Sequence, residues 1–342
     1  MKRILLVKTS SLGDVIHNLP VVNDILQYAP EAHIDWAVEE SFVEIPSLHP
    51  HVNNVFNVAF RRWRKNLFSQ QTWSEIAAFK KVIRGNQYDA IIDTQGLLKS
   101  ALIVQQAKGV KHGYDKNSIR EPLASYFYDK KYAISYNQHA VVRNRTLAAL
   151  SLGYAPPTNA PDYGIEKHGI EKYGISIQSN FSVSLMDIDS QSNINKPSYI
   201  IALHGTSRDS KLWPVANWVA LGKALAEKKL NLVLPWASDA EFVRANAIAS
   251  HLTNANVLPK LSIGKLAGII SRAQAAIGVD TGLSHLAAAL NIPTIAIYTD
   301  TNPTLTGVLA GAQTNAINLG GIAQTPSVDE VLRALSQEKA AS

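Results

Sequence analysis

The residues best suited to chemistry sit where an apolar run gives way to a polar turn. Asp280, Thr281 and Gly282 follow the apolar run AAIGV and precede the helical pattern LSHLAAALN. A helix opening there leaves the N–H groups of Thr281, Gly282 and Leu283 without in-helix acceptors, and with the helix dipole they attract an anion, typically a phosphate. Gly282 lets the backbone approach such a group closely. His285, one turn further on, is placed to face the same space. The ordinary alternatives are an N-cap for Asp280 and a core or surface histidine at 285. Thr206, Ser207 and Lys211 follow a second apolar run, SYIIALHG. Two hydroxyls and a mobile cation at that junction also suit a phosphate-bearing ligand. Glu241, in the first turn of a helix, is placed either to pair with ribose hydroxyls or to complement the dipole.

Two further carboxylates end strand-like runs in the first half. Asp14 follows RILLVK and the loop TSSLGD, at the entrance of a helix expected from about Asp14 to Tyr28. An aspartate fills an N-cap well there, yet the helix N-terminus also keeps it ionised and able to accept a proton. Asp93 ends YDAIIDTQG, where a structural role is favoured over a chemical one. Gly13 is the only glycine in the first turn, so the dinucleotide-binding fingerprint is absent. Neither a Gly-x-Ser-x-Gly elbow nor a Walker A loop occurs, and no His/Asp/Glu set has metal-ligand spacing. No metal and no cofactor are expected.

The elements that must position these residues alternate strand and helix through both halves of the chain, which predicts two α/β domains. The 342 residues exceed the size at which one hydrophobic core stops growing. Strands are expected at 3–8, 33–40, 52–58, 88–93, 198–205, 230–236, 275–279 and 293–298. From about 155 to 197 the composition turns rich in Pro, Ser, Asn and Asp. This sets a boundary near 180, giving domains 1–180 and 181–324, with a terminal helix at about 325–342. The chain lacks cysteine, which excludes disulfides and thiolate metal sites and fits a reducing compartment. The first apolar run is too short for a signal peptide, and no run approaches a membrane span.

Charge is unevenly spread. Residues 51–150 hold 16 basic and 6 acidic residues, a net +10, while residues 1–50 carry −4 and residues 151–342 are balanced. The densest cluster, Arg61, Arg62, Arg64 and Lys65 around Trp63, reads as an exposed loop. Arg143 and Arg145 lie on a helix near 140–154. Such a field points to an anionic partner: nucleic acid, anionic lipid or an acidic sugar. A surface serving solubility alone is the bland reading.

The motifs KTSSLGDVIHNLP (8–20), DTQGLLKSA (93–101), HGTSRDSKLWP (204–214), LPWAS (234–238) and DTGLSHLAAAL (280–290) occur in that order. Together they resemble glycosyltransferase family 9, the heptosyltransferases. The resemblance implies a GT-B fold, two Rossmann-like domains facing across a cleft, with the terminal helix packing back on the first domain. It implies transfer of L-glycero-D-manno-heptose from ADP-heptose to Kdo of Kdo–lipid A, with inversion and without a metal. Asp14 then matches the general base. Lys211 and the amides of Thr281 and Gly282 match the groups that neutralise the departing diphosphate, beside Thr206, Ser207 and Leu283. Glu241 matches a ribose ligand, Leu261 lies where adenine packs, and Asp280 and His285 line the sugar. Ser10, Ser11, Gly13, Arg61, Arg62, Arg64, Lys65, Asp93, Arg120 and Arg143 fall on the acceptor side. A cytoplasmic protein held on the inner face of the inner membrane by charge, without insertion, is expected. Ser207 replaces a second threonine, Ala237 a glycine, and YTDTNP (298–303) a Tyr-Gly-Pro-Thr segment, so that last loop is assigned no role. The alternatives are a heptosyltransferase with a different acceptor, a sugar-nucleotide epimerase of the same architecture, or a nucleic-acid-binding protein. The pI of about 9.3 favours the last, but no recognition motif or regular stacking aromatics accompany it.

Overall fold

The computed structural model describes residues 1–173 and 199–341. Its contacts divide the chain into two units, Met1–Gly169 and Ile170–Ser342. The boundary expected near 180 lies outside the described residues.

In the first unit, β1 (Arg3–Val7), β2 (His33–Glu39), β3 (Val52–Val58), β4 (Gln87–Asp93), β5 (Lys108–Tyr114) and β6 (Lys130–Tyr132) form one sheet. The order is β3-β2-β1-β4-β5-β6, and every pairing is parallel. Parallel central strands are covered on both faces, which is why β1 is a continuous apolar run and buries Ile4, Leu5, Leu6 and Val7 completely. In the second unit, β7 (Tyr199–Leu203), β8 (Asn231–Leu234), β9 (Ala255–Val257), β10 (Ala275–Val279), β11 (Thr294–Tyr298) and β12 (Ala316–Gly320) form the other sheet. Its order, β12-β11-β10-β7-β8-β9, repeats the topology of the first, again all parallel. Each sheet therefore has a switch point where the order reverses, between β1 and β4 and between β7 and β10. Open α/β sheets bind ligands outside the carboxyl ends of such strands.

Two expected elements change, and the contacts of the terminal helix within its own unit are defined. The helix expected from Asp14 to Tyr28 is two helices, Leu12–Ile16 and Pro20–Tyr28. Pro20 cannot continue a helix from below but fits the first turn of a new one. The basic stretch expected as a loop contains a short helix, Phe60–Trp63, because Trp63 turns inward and is buried. The terminal helix, Val328–Ala341, belongs to the second unit. It buries Val331, Ala334 and Leu335 in a core with Trp213, Trp218, Ile277 and Ile295, so its apolar stripe is used there.

Candidate active site

In the second unit the candidate side chains gather at the carboxyl ends of β7, β10 and β11. A single 3-10 turn, Asp209–Lys211, carries Lys211, whose Nζ lies 2.6 Å from Asp280 Oδ2 at the end of β10. Thr206 Oγ1 donates to the backbone oxygen of Asp280 at 2.9 Å. Lys211 is therefore ion-paired and largely buried, not the mobile cation expected. Ser207 is exposed. The loop that had no assigned role supplies two of the locks. Thr301 Oγ1 donates to Asp280 Oδ2 at 2.7 Å, and Thr299 Oγ1 to the carbonyl of Ser210 at 2.7 Å. A signal was present in the sequence: two hydroxyls directly after a strand that neighbours β10.

Thr281, not Asp280, is the N-cap of helix Gly282–Ala289, so the Asp280 carboxylate is free of capping and serves Lys211 and Thr301. Thr281, Gly282 and Leu283 are half-buried at the opening of this helix, where first-turn amides have no in-helix acceptor. His285 is buried within it. Gly278 brings the helix onto the sheet: a Cβ there would collide with Ser284 Oγ and lie 2.9 Å from Leu203 Cβ.

Glu241 sits third in helix Asp239–Ala249, in a capping box with Ser238. Its Oε2 accepts from the amides of Ala237 at 2.7 Å and Ser238 at 3.1 Å. Its Oε1 lies against Gly205 at the end of β7, within 2.5 Å of where a Cβ would stand. One oxygen thus caps the helix while the other faces the strand end. Leu261 is half-buried, next to Lys260, whose ammonium lies 5.7 Å over the Trp236 ring. Sequence reading missed Arg244, one turn after Glu241. It donates to the backbone oxygen of Trp213, tying the segment after Lys211 to this helix. His204 is fully buried at the end of β7, and burial pushes its imidazole down to about 4, so it is neutral near pH 7.

In the first unit the corresponding edge holds Asp14, third residue of helix Leu12–Ile16, with Ser11 as the N-cap. Asp14 Oδ2 accepts from Ser11 N at 2.7 Å and Ser11 Oγ at 2.9 Å. Gln95 Oε1 accepts from the amides of Thr9 at 2.9 Å and Ser10 at 3.0 Å, holding the backbone that leads to Asp14 and Gly13. Two lysines that sequence reading missed act on this carboxylate. Lys8 is buried and donates to Thr94 O at 2.8 Å; burial lowers its pKa, and the charges of Asp14 and Asp93 oppose that. Lys99 Nζ donates to Ser10 Oγ at 2.5 Å; burial lowers its pKa too, with Glu39 and Asp14 among the charges that oppose it.

Several acceptor-side expectations are corrected. Asp93 is fully buried and presents nothing outward. Tyr128 Oη donates to its Oδ2 at 2.7 Å, and the amides of Gln95 and Gly96 donate to Oδ1, so it shapes the turn after β4. Burial raises its pKa, opposed by those hydrogen bonds. Arg62 is committed to Glu40 and Glu75, at 2.9 and 2.8 Å, and Glu75 also accepts from Trp63 Nε1. Those bonds hold the Glu75 carboxyl down at about 2. Arg62 thus fastens the short helix to the unit. Arg143 is sandwiched between the Tyr114 and Tyr136 rings, at 4.6 and 4.3 Å, and donates to Ser118 O. Ser10 is buried and already bonded, while Arg61, Arg64, Lys65 and Arg120 are exposed. Among the described residues, no group of three or more His, Asp or Glu is placed to hold a metal ion, and no helix is long and apolar enough to cross a membrane.

A profile of glycosyltransferase family 9 (heptosyltransferase) matches residues 76–334. Lipopolysaccharide heptosyltransferase 1 of Salmonella typhimurium is 44% identical over 306 residues, 89% of this chain and 90% of that one. A solved structure, E. coli heptosyltransferase WaaC with ADP, superposes with a TM-score of 0.85 at 39% identity, covering 98% of this chain and 99% of that one. The same enzyme with ADP-2-deoxy-2-fluoro heptose gives a TM-score of 0.83 at 39% identity, with the same coverage.

Proposed function

The chain belongs to glycosyltransferase family 9, is a heptosyltransferase of lipopolysaccharide synthesis and has the GT-B fold, and on that premise we propose that it moves L-glycero-D-manno-heptose from ADP-heptose to Kdo of Kdo–lipid A, with inversion and without a metal. The acceptor hydroxyl oxygen attacks the anomeric carbon and its proton passes to Asp14. The bond from that carbon to ADP breaks in the same displacement, which inverts the centre and leaves the electron pair on the diphosphate. Lys211 and the first-turn amides of Thr281, Gly282 and Leu283 neutralise that charge, the role a metal would otherwise fill. Glu241 Oε1 takes the ribose hydroxyls, Leu261 packs on the adenine, Thr206 and Ser207 flank the diphosphate, and Asp280 and His285 line the sugar.

The observation that carries this reading is the meeting of Lys211, Asp280 and Thr301 at the β7/β10 switch point, beside the open end of helix Gly282–Ala289. A lysine already buried against one carboxylate can exchange it for a diphosphate without first being dehydrated in full. On the acceptor side, Ser11 and Gly13 flank Asp14, and the exposed Arg61, Arg64, Lys65 and Arg120 complement the phosphates and carboxylates of Kdo–lipid A. The protein then works on the cytoplasmic face of the inner membrane as a peripheral enzyme. The test is mass spectrometry of products from ADP-heptose and Kdo–lipid A, with and without chelator. A heptosylated product formed equally in chelator supports the reading. Strict dependence on added magnesium removes the metal-free step, and transfer only to an already heptosylated acceptor replaces Kdo as the target.

A further inference from the structure

The basic segment of the first unit carries an apolar tip that the core does not use. Phe68 is fully exposed, at 103%, with Leu67 at 51% and Trp73 at 57%. The three are adjacent, because Trp73 Nε1 donates to Leu67 O at 2.7 Å and folds the start of helix Gln70–Arg84 against the turn. Single exposed apolar residues are ordinary on a surface, but three large ones joined at the tip of a turn form a patch.

What surrounds the patch decides its partner. Arg64 and Lys65 directly precede it and are exposed, as are Arg61 before them and Lys81 and Arg84 along the helix. The only acid from residue 61 to residue 84, Glu75, is consumed by Arg62 and Trp63. The segment 61–84 is therefore apolar at its tip, with exposed cations directly before that tip and further along the helix, and its one acid is ion-paired. A bilayer with an anionic surface rewards that combination: aromatic rings settle at headgroup depth while flanking cations bind lipid phosphates.

We propose that the turn 64–73 docks on an anionic bilayer and inserts Leu67, Phe68 and Trp73 into its interfacial layer. Association is then more than the charge steering expected from sequence, since the apolar tip adds a component that salt does not screen. The proposal rests on the acceptor being a membrane lipid, but its test uses no acceptor.

The full chain is mixed with phosphatidylcholine vesicles, with or without phosphatidylglycerol, at low and moderate salt. Binding is expected only with the anionic lipid, falling with salt to a residual level. Leu67→Ser/Phe68→Ser is expected to lower the partition coefficient about tenfold at either salt, and its thermal unfolding should match the parent because both side chains face solvent. Lipids brominated near the headgroup should quench a fluorescence component that is missing in Trp73→Phe. Equal partitioning of the serine variant, absence of that quenching, or no vesicle binding by the parent each overturns the proposal. A water-soluble Kdo acceptor separates the two readings. The serine variant should turn it over at the parental rate, and failure of the parent to use it tells against the acceptor reading while leaving the vesicle result standing.

Discussion

Both hydrogen bonds that Ser11 gives to Asp14 fall on one oxygen, Oδ2, and the charges of Lys8 and Lys99 reach the same carboxylate. A carboxylate held this way has its orientation fixed. Asp14→Asn keeps the size and the bonding oxygen but cannot take a proton. Its kcat is expected to fall on the order of 10²–10⁴-fold with ADP-heptose affinity unchanged. Near-parental turnover would leave Asp14 as the helix-capping partner of Ser11 alone. Thr301 gives a second test. On the proposed reading Lys211 turns from Asp280 to a diphosphate, and among the described residues Asp280 then keeps only the Thr301 hydroxyl as a side-chain donor. Thr301→Val makes that exchange leave a carboxylate unpaired, so the donor Kd measured by calorimetry should rise about five- to tenfold. Tighter donor binding would instead mean that Thr301 holds Asp280 against the donor. These roles differ in how far the sequence discloses them. Asp280 is legible because it directly follows an apolar run, and Asp14 and Lys211 because each lies in the short polar loop after one; strand ends in parallel sheets point at ligands. Asp93 follows such a run equally well, yet its partner Tyr128 is 35 residues away. Arg62 is likewise claimed by Glu40, 22 residues back. Nothing in local spacing announces either bond.

The same contrast holds among the elements. Strands with apolar runs were readable, and VNNVFNV and AAIGV match β3 and β10 residue for residue. β5 was not readable. KGVKHGY has two lysines and two glycines, and the helical pattern before it runs on to Gly109. It is a strand because β4 and β6 flank it, a non-local cause. Capping was half legible: Glu241 was placed in a first turn, but only the structure shows that Oε2 caps while Oε1 lies against Gly205. On the proposed reading, donor binding depends most on helix Gly282–Ala289, and the seat of that helix is Gly278. A methyl group at 278 meets Leu203 Cβ, which is fixed to the backbone, and Ser284 Oγ, which can turn away only by giving up its hydrogen bond to Val279 O. Gly278→Ala is therefore expected to cost about 1–3 kcal/mol of stability and to weaken ADP binding, because the helix must move off the sheet. Thermal unfolding and ADP titration measure the two effects separately. A lowered melting temperature with unchanged ADP affinity would detach this helix from the diphosphate.

At the scale of the whole molecule, the decisive property is that excess positive charge is concentrated in one of two units of matching topology. The repeated strand order gives each unit its own switch point, and each switch point its own carboxyl edge. Sequence reading recovered the two-unit plan and the net +10 of residues 51–150, because both are sums over many residues. It could not tell which charges are free. Arg62 is spent on Glu40 and Glu75, and Arg143 is stacked between two tyrosines. Arg61, Arg64 and Lys65 remain exposed and able to meet an anionic acceptor. Their triple glutamine variant should raise the KM for Kdo–lipid A and flatten its salt dependence, since each lost cation removes a screened, long-range attraction. The KM for ADP-heptose should not move. Arg62→Gln is the control that separates field from structure. It removes one formal charge where the triple variant removes three, and it unpairs Glu40 and Glu75, so it should lower the melting temperature of the protein. If Arg62→Gln raises the acceptor KM as much per charge as the triple variant, while unfolding at the parental temperature, then net charge alone steers the acceptor and the three exposed cations form no specific site.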